Sequence, residues 1–270
     1  MFINELDSSF SLHHYISIIG GLIIGGFLNI ILWLYPKKLQ QHAETNNSSN
    51  AKQILKYVQS IHLCPDCNRK FRWYNNIPLL SCLISKGAYC NCLTPINHRY
   101  PLIEVITSIL FLFSTLIWSK NYYSLAVIYL VILLITTITL DLNYKKLPYS
   151  FTQNILWSGI VFSWIGVSPI SLPSAINGVT VGFISFYILR AIASFLMRRQ
   201  IFRMNDVILF AGLGAWVGVF SLPYLVLMAA ILGVLYIMIT NKIPPKITLG
   251  PCLNIAGIII VYFQGIIPFQ

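Results

Sequence analysis

Apolar residues in this chain run in long blocks rather than alternating, and short polar stretches separate the blocks. Eight blocks lie at about residues 15–34, 101–118, 122–140, 151–168, 173–195, 206–220, 222–240 and 250–267. About 20 apolar residues in a helix cross the hydrocarbon core of a bilayer, so each block is a candidate span, the sixth being short. One long polar interruption, residues 36–100, breaks the series. The pattern predicts an all-α polytopic membrane protein of about eight transmembrane helices, with a small cytoplasmic Cys-rich, zinc-knuckle-like insert after the first helix. Three parts follow: residues 1–35 as an N-terminal tail and first helix, 36–100 as the Cys-containing module, and 101–270 as a seven-helix membrane domain.

Composition agrees with the pattern. Hydrophobic residues make up 57% of the 270 and charged residues 9%, with a mean hydropathy of +0.74. A soluble domain is less apolar and a disordered chain far more polar. The net charge of +11 raises nucleic acid as a partner, but its distribution along the chain argues for topology instead. Nine Lys or Arg lie between residues 36 and 100; Lys145 and Lys146 follow the third run; Arg190, Arg198, Arg199 and Arg203 surround the loop after the fifth; Lys242 and Lys246 follow the seventh. Only Lys120 falls on the other side. The positive-inside rule then puts the basic loops in the cytoplasm and both termini on the outer side of the membrane, with anionic lipid as a weaker attraction and no nucleic acid. The N-terminal stretch MFINELDSSFSLHHY has two acids and no Lys or Arg, so it lacks the basic start of a signal peptide, and the first run is read as a retained helix. His13 and His14 are read as interfacial polar residues with no role.

Two regions carry unusual residues. In the first run, Gly20, Gly21, Gly25 and Gly26 offer small faces for a close helix neighbour, and the buried amide of Asn29 needs a partner in lipid. The stretch KKLQQHAETNNSSNAKQ that follows is read as flexible. Beyond it, Cys64 and Cys67 form a C-x-x-C pair, and Cys90 and Cys92 a C-x-C pair. Two thiolate pairs can close a tetrahedral zinc site, which would supply folding energy to a module too small for its own core. Reduced cysteines or a redox pair are the alternatives; a structural disulfide fits a reducing face poorly. His62 and His98 are substitute ligands, while Cys82 and Cys252 are read as packing residues.

Outside the insert and the tail the only acids are Glu104, Asp141 and Asp206. Glu104 is read as a structural partner of a basic residue such as Arg99. Asp141 ends the third run and Asp206 opens the sixth, so both fall at the same cytoplasmic depth. Ionisable groups at the edge of a bilayer are costly and mark function by default. Two aspartates in a low-dielectric site titrate as a pair, and one can activate a water while the other, protonated, polarises a carbonyl. That is peptide hydrolysis without metal or covalent intermediate. The plainer reading pairs each aspartate with Lys or Arg at the interface.

Several stretches in this order resemble the type IV prepilin peptidases, membrane aspartic endopeptidases of the GxGD class: GGFLNIILWLYP, NNIPLLSCL, GAYCNCLTPINHRYPLIE, ITLDLNYKKLP, NDVILFAGLGAWVG and LGPCLNIAG. The resemblance implies an aspartic peptidase domain over 101–270 that removes the short basic leader of prepilins or pseudopilins after a glycine on the cytoplasmic side. Asp141 and Asp206 match the catalytic pair. It also implies methylation of the new N-terminus with S-adenosylmethionine, linked to the first cytoplasmic loop. The chain departs from the pattern where the family has GxGD: here Arg203, Met204, Asn205 and Asp206 stand, so both glycines are absent. Ile208 replaces the usual basic residue after the second aspartate, and Tyr89 occupies the family's third cysteine position, with Cys90 one residue late. Two other functions compete: a non-catalytic homologue that binds pilins or assembly proteins, favoured by those departures, and a transporter using the carboxylates as a relay. Against the relay, a Cys module of this size has no transport rationale, and the chain shows no inverted repeat.

Overall fold

The computed structural model describes residues 12–44, 99–118, 122–144, 147–198, 202–240 and 249–266. Among them the secondary structure is helical. The α-helices are α1 (Leu12–Glu44), α2 (Arg99–Ile117), α3 (Tyr123–Tyr144), α4 (Tyr149–Trp164), α5 (Leu172–Met197), α6 (Met204–Val217), α7 (Leu222–Thr240) and α8 (Leu249–Ile266). A single 3-10 turn, Val219–Ser221, joins α6 to α7. Each apolar run therefore becomes a helix. Four stretches are long and apolar enough to cross a membrane by length and composition: Tyr123–Tyr144, Leu172–Leu196, Val219–Met238 and Leu249–Ile266. Pro101–Ile117 and Met204–Val217 are shorter apolar helices. The chain is a polytopic membrane protein. The Cys module, with Cys64, Cys67, Cys90 and Cys92, lies outside the described residues.

Several boundaries differ from the sequence reading by a few residues, and two of them have a clear physical cause. Helix α1 continues to Glu44, through residues read as flexible. Lys, Leu, Gln, Ala and Glu are strong helix formers, and each residue added to an existing helix gains a hydrogen bond without a new nucleation cost. Helix α6 stops at Val217 because Gly218 adopts φ +75, a region that other residues rarely enter, and the chain turns there.

The chain divides into two compact units, residues 1–115 and 116–270. In the first, α1 packs on α2 through glycines, as small faces predict. A Cβ on Gly21 would meet the Ser108 backbone at 2.5 Å, and one on Gly25 would strike Thr107 Oγ1 and the Glu104 backbone. Thr107 Oγ1 donates to Gly21 O (2.9 Å) and Ser108 Oγ to Ile18 O (3.1 Å), so hydroxyls tie the two backbones together. Asn29 is buried in this unit, and Glu104 is fully buried against Gly25.

In the second unit α6 is central. It packs on α4, α5 and α8, and every residue from Leu209 to Val217 is buried. A helix apolar on all sides requires such a surround. The backbones of α5 and α6 meet where Gly178 and Gly214 cross, each glycine leaving no room for a Cβ against the other's carbonyl. Trp216 Nε1 donates to Ile155 O of α4 (2.9 Å), and Gln264 Nε2 of α8 donates to Val217 O (2.8 Å) and Ser221 Oγ (2.7 Å). These bonds fix the end of α6 remote from Asp206. Helix α8 also packs on α3 and α7. Large apolar side chains on α5 and α7, among them Tyr187, Ile192, Phe195, Leu227 and Met238, face outward, a surface suited to lipid.

Candidate active site

Helix α3 reaches the site as an apolar rod whose few polar groups are self-satisfied. Thr136, Thr137 and Thr139 return their hydroxyls to carbonyls of the preceding turn, at 2.6, 2.9 and 2.8 Å. Asp141, one turn before the helix ends, is the first side chain that cannot do so. It is 1% exposed. Asp206 is 2% exposed and lies in the first turn of α6, where its Oδ2 accepts the backbone N–H of Arg203 (3.1 Å). An acid three residues into a helix that reaches back to the cap N–H is an ordinary helix start. One carboxylate oxygen of Asp206 thus serves the fold, and the other, Oδ1, has no hydrogen-bond partner.

Arg203 links the two acids. Its Nη1 donates to Asp141 Oδ1 at 2.9 Å while its backbone N–H holds Asp206. The Arg203 side chain is 30% exposed and that of Asp141 fully buried, so the pair enters the protein from its surface side. Asn205, the other residue standing where the resemblance implies a glycine, donates from Nδ2 to Leu147 O in the segment after α3. The start of α6 is therefore clamped to the end of α3 by the two side chains that replace glycines.

Helix α8 supplies the third wall. A Cβ on Gly250 would lie 2.6 Å from Asp141 Oδ2 and 3.5 Å from Asp206 Oδ1. Those are the two carboxylate oxygens left without partners. Both aspartates thus aim their unused oxygen at one small space that only glycine leaves open. Sequence reasoning paired Asp141 with Asp206, and the structure brings them together around Gly250. It assigned no role to Gly250 or Arg203. The glycine stood in the LGPCLNIAG stretch as a likeness only, and Arg203 was noted for the glycine it replaces rather than for the guanidinium it brings. Glu104 belongs to the other unit, where it packs against Gly25. Among the described residues, no group of three or more His, Cys, Asp or Glu is arranged to hold a metal.

A membrane-embedded helical bundle that buries two carboxylates around one gap at one end of its helices has the layout of an intramembrane aspartic peptidase. Comparison with known proteins gives the family. Residues 19–118 match the bacterial peptidase A24 N-terminal domain, and residues 128–238 match the type IV leader peptidase family. A type 4 prepilin-like proteins leader peptide-processing enzyme of Escherichia coli O78:H11 is 43% identical over 251 residues, covering 92% of this chain and 93% of that protein. Prepilin leader peptidase/N-methyltransferases of Neisseria gonorrhoeae and Aeromonas hydrophila are 28% and 31% identical, covering 89% and 87% of this chain and 87% and 86% of theirs. No solved structure matches. This chain belongs to the type IV leader peptidase family.

Proposed function

We propose that the protein removes the basic leader of type IV prepilins or pseudopilins, with Asp141 and Asp206 as its aspartate dyad. The observation that carries this is the pair of unpartnered oxygens, Asp141 Oδ2 and Asp206 Oδ1, facing the same Gly250 gap. A water and a peptide carbonyl brought into that gap meet both acids at once. One carboxylate takes a proton from the water as it attacks; the other, protonated, donates a hydrogen bond to the carbonyl oxygen as negative charge develops. The same pair then returns a proton to the leaving amine, and the two acids end as they began. Burial strengthens each of these interactions by excluding competing water.

The basic loops support a cytoplasmic active face, both termini in the periplasm and eight crossings of the inner membrane, with the four long spans joined by α1, α2, α4 and α6. The Cys64, Cys67, Cys90 and Cys92 spacing supports a structural zinc in the 36–100 module. Methylation of the new N-terminus from S-adenosylmethionine is a second activity, supported by the N-methyltransferase in the names of the Neisseria and Aeromonas relatives. The test is co-expression with a prepilin, comparing wild type, Asp141→Asn and Asp206→Asn by the N-terminal mass of the pilin. Processed pilin that disappears in both variants supports the dyad, and an added methyl mass supports the second activity. Unprocessed pilin with the inserted wild type would favour a pilin-binding homologue that does not cut.

A further inference from the structure

Asn254, on the third wall of the site, plays no part in the dyad's chemistry. It is fully buried in α8, and neither Oδ1 nor Nδ2 of its carboxamide has a hydrogen-bond partner. A buried amide gives up its hydration with nothing in return, so retaining one destabilises the fold. Asn254 stands four residues after Gly250, which puts the two on one face of the helix. Gly257, three residues further, continues that face against Leu213 of α6. Side chains on a helix lean toward its N-terminus and cover the turn before their own Cα. The Asn254 carboxamide therefore leans toward Gly250, the residue whose missing side chain leaves both aspartate oxygens open.

Two partnerless carboxylate oxygens, from α3 and α6, border the gap, and one helical turn along α8 stands a carboxamide that is also without a partner. A peptide bond reaches the two acids only if its segment is unwound. Unwound main chain in apolar surroundings needs a partner for each N–H and C=O. Asparagine carries both a donor and an acceptor, the complement of a peptide group. We propose that Asn254 is a positioning residue for the peptide being cut. Its Nδ2 donates to a main-chain carbonyl, and its Oδ1 accepts a main-chain N–H, in the residues that run from the scissile bond along α8. This role rests on the peptidase reading above and adds to it the contact that holds the unwound segment.

The test uses the full-length protein in detergent with a purified prepilin, comparing wild type, Asn254→Leu and Asn254→Ser by melting temperature and by kcat/KM. Leucine has the branching and heavy-atom count of asparagine, though its methyl groups are bulkier, and it removes an amide that the free enzyme leaves unsatisfied. Asn254→Leu is expected to melt at or above the wild-type temperature while kcat/KM falls about 10- to 100-fold, the loss of one or two hydrogen bonds at about tenfold per 1.4 kcal/mol. Asn254→Ser, which keeps a donor and an acceptor, recovers part of that loss. Wild-type cleavage by Asn254→Leu would overturn the role while leaving the peptidase reading intact. So would a fall in melting temperature that accompanies lost activity in both variants, because the amide would then be an internal tie. A wild-type protein that cuts no prepilin would remove the peptidase reading and this role with it.

Discussion

The tightest constraint in the site is Gly250, and replacing it with alanine tests the geometry directly. The added methyl would sit 2.6 Å from Asp141 Oδ2, 3.5 Å from its Cγ and 3.5 Å from Asp206 Oδ1. A carbon–oxygen contact is ordinary from 3.4 Å and essentially never below 3.0 Å, so Asp141 must retreat by about half an ångström or more. Its other oxygen is held by Arg203 at 2.9 Å, so retreat means rotating away from either the arginine or the partner aspartate. The methyl also occupies the gap that a water or carbonyl would use. Misplacement of a reacting group by about 1 Å costs about 100-fold in rate, equivalent to about 2.7 kcal/mol. Stability should change little. Overpacking costs about 1–3 kcal/mol, and replacing glycine in a helix returns about 1 kcal/mol. Gly233→Ala in α7 is the control, because nothing lies within 4 Å of its added Cβ. Initial rates of prepilin cleavage by the purified variants decide the matter: a Gly250→Ala rate within threefold of wild type would refute this account of the gap.

Other expectations follow from individual contacts. Asp206→Asn keeps a side-chain oxygen to accept the Arg203 N–H, so it should melt close to wild type yet yield no processed pilin on intact-mass analysis. Arg203→Ala leaves the buried Asp141 carboxylate without its charged partner; a loss of about 3 kcal/mol, reduced because the arginine is partly exposed, should show as a lower thermal midpoint that Arg203→Lys partly restores. Gly178→Ala drives a methyl into the Gly214 carbonyl and should destabilise by about 1–3 kcal/mol, with reduced membrane accumulation measured by fluorescence of a fused reporter. Cys64→Ser should lower the zinc content of the purified protein by about one equivalent in elemental analysis, if the four thiolates share one ion.

Much of this was legible from the chain alone, for identifiable reasons. Eight apolar runs became eight helices because lipid forces every backbone group to pair within its own segment. The aspartates were legible because charge is rare in such runs and the topology expected from the basic loops put both at one depth. What escaped was the use of groups with no charge or an apparently misplaced one. Gly250 shows its importance only through what its side chain would hit. Arg203 reads as a lost glycine until the 2.9 Å bond to Asp141 is seen, since nothing in the sequence says that a residue before α6 faces the end of α3. Asn254 was visible as an amide in an apolar run, but its depth and its lack of partners are three-dimensional facts.

The burial of α6 also orders the way the molecule comes apart. A helix enclosed by α4, α5 and α8 loses protection only when its neighbours separate, so its amides should exchange with deuterium at the rate of global opening. Helix α5, with most of its length turned outward, has less to lose by local fluctuation. Asp206 therefore rides on the segment that opens last, and its alignment survives motions that loosen the periphery. Thermal damage to activity and thermal loss of the core should coincide, leaving little range in which the protein is folded yet misaligned.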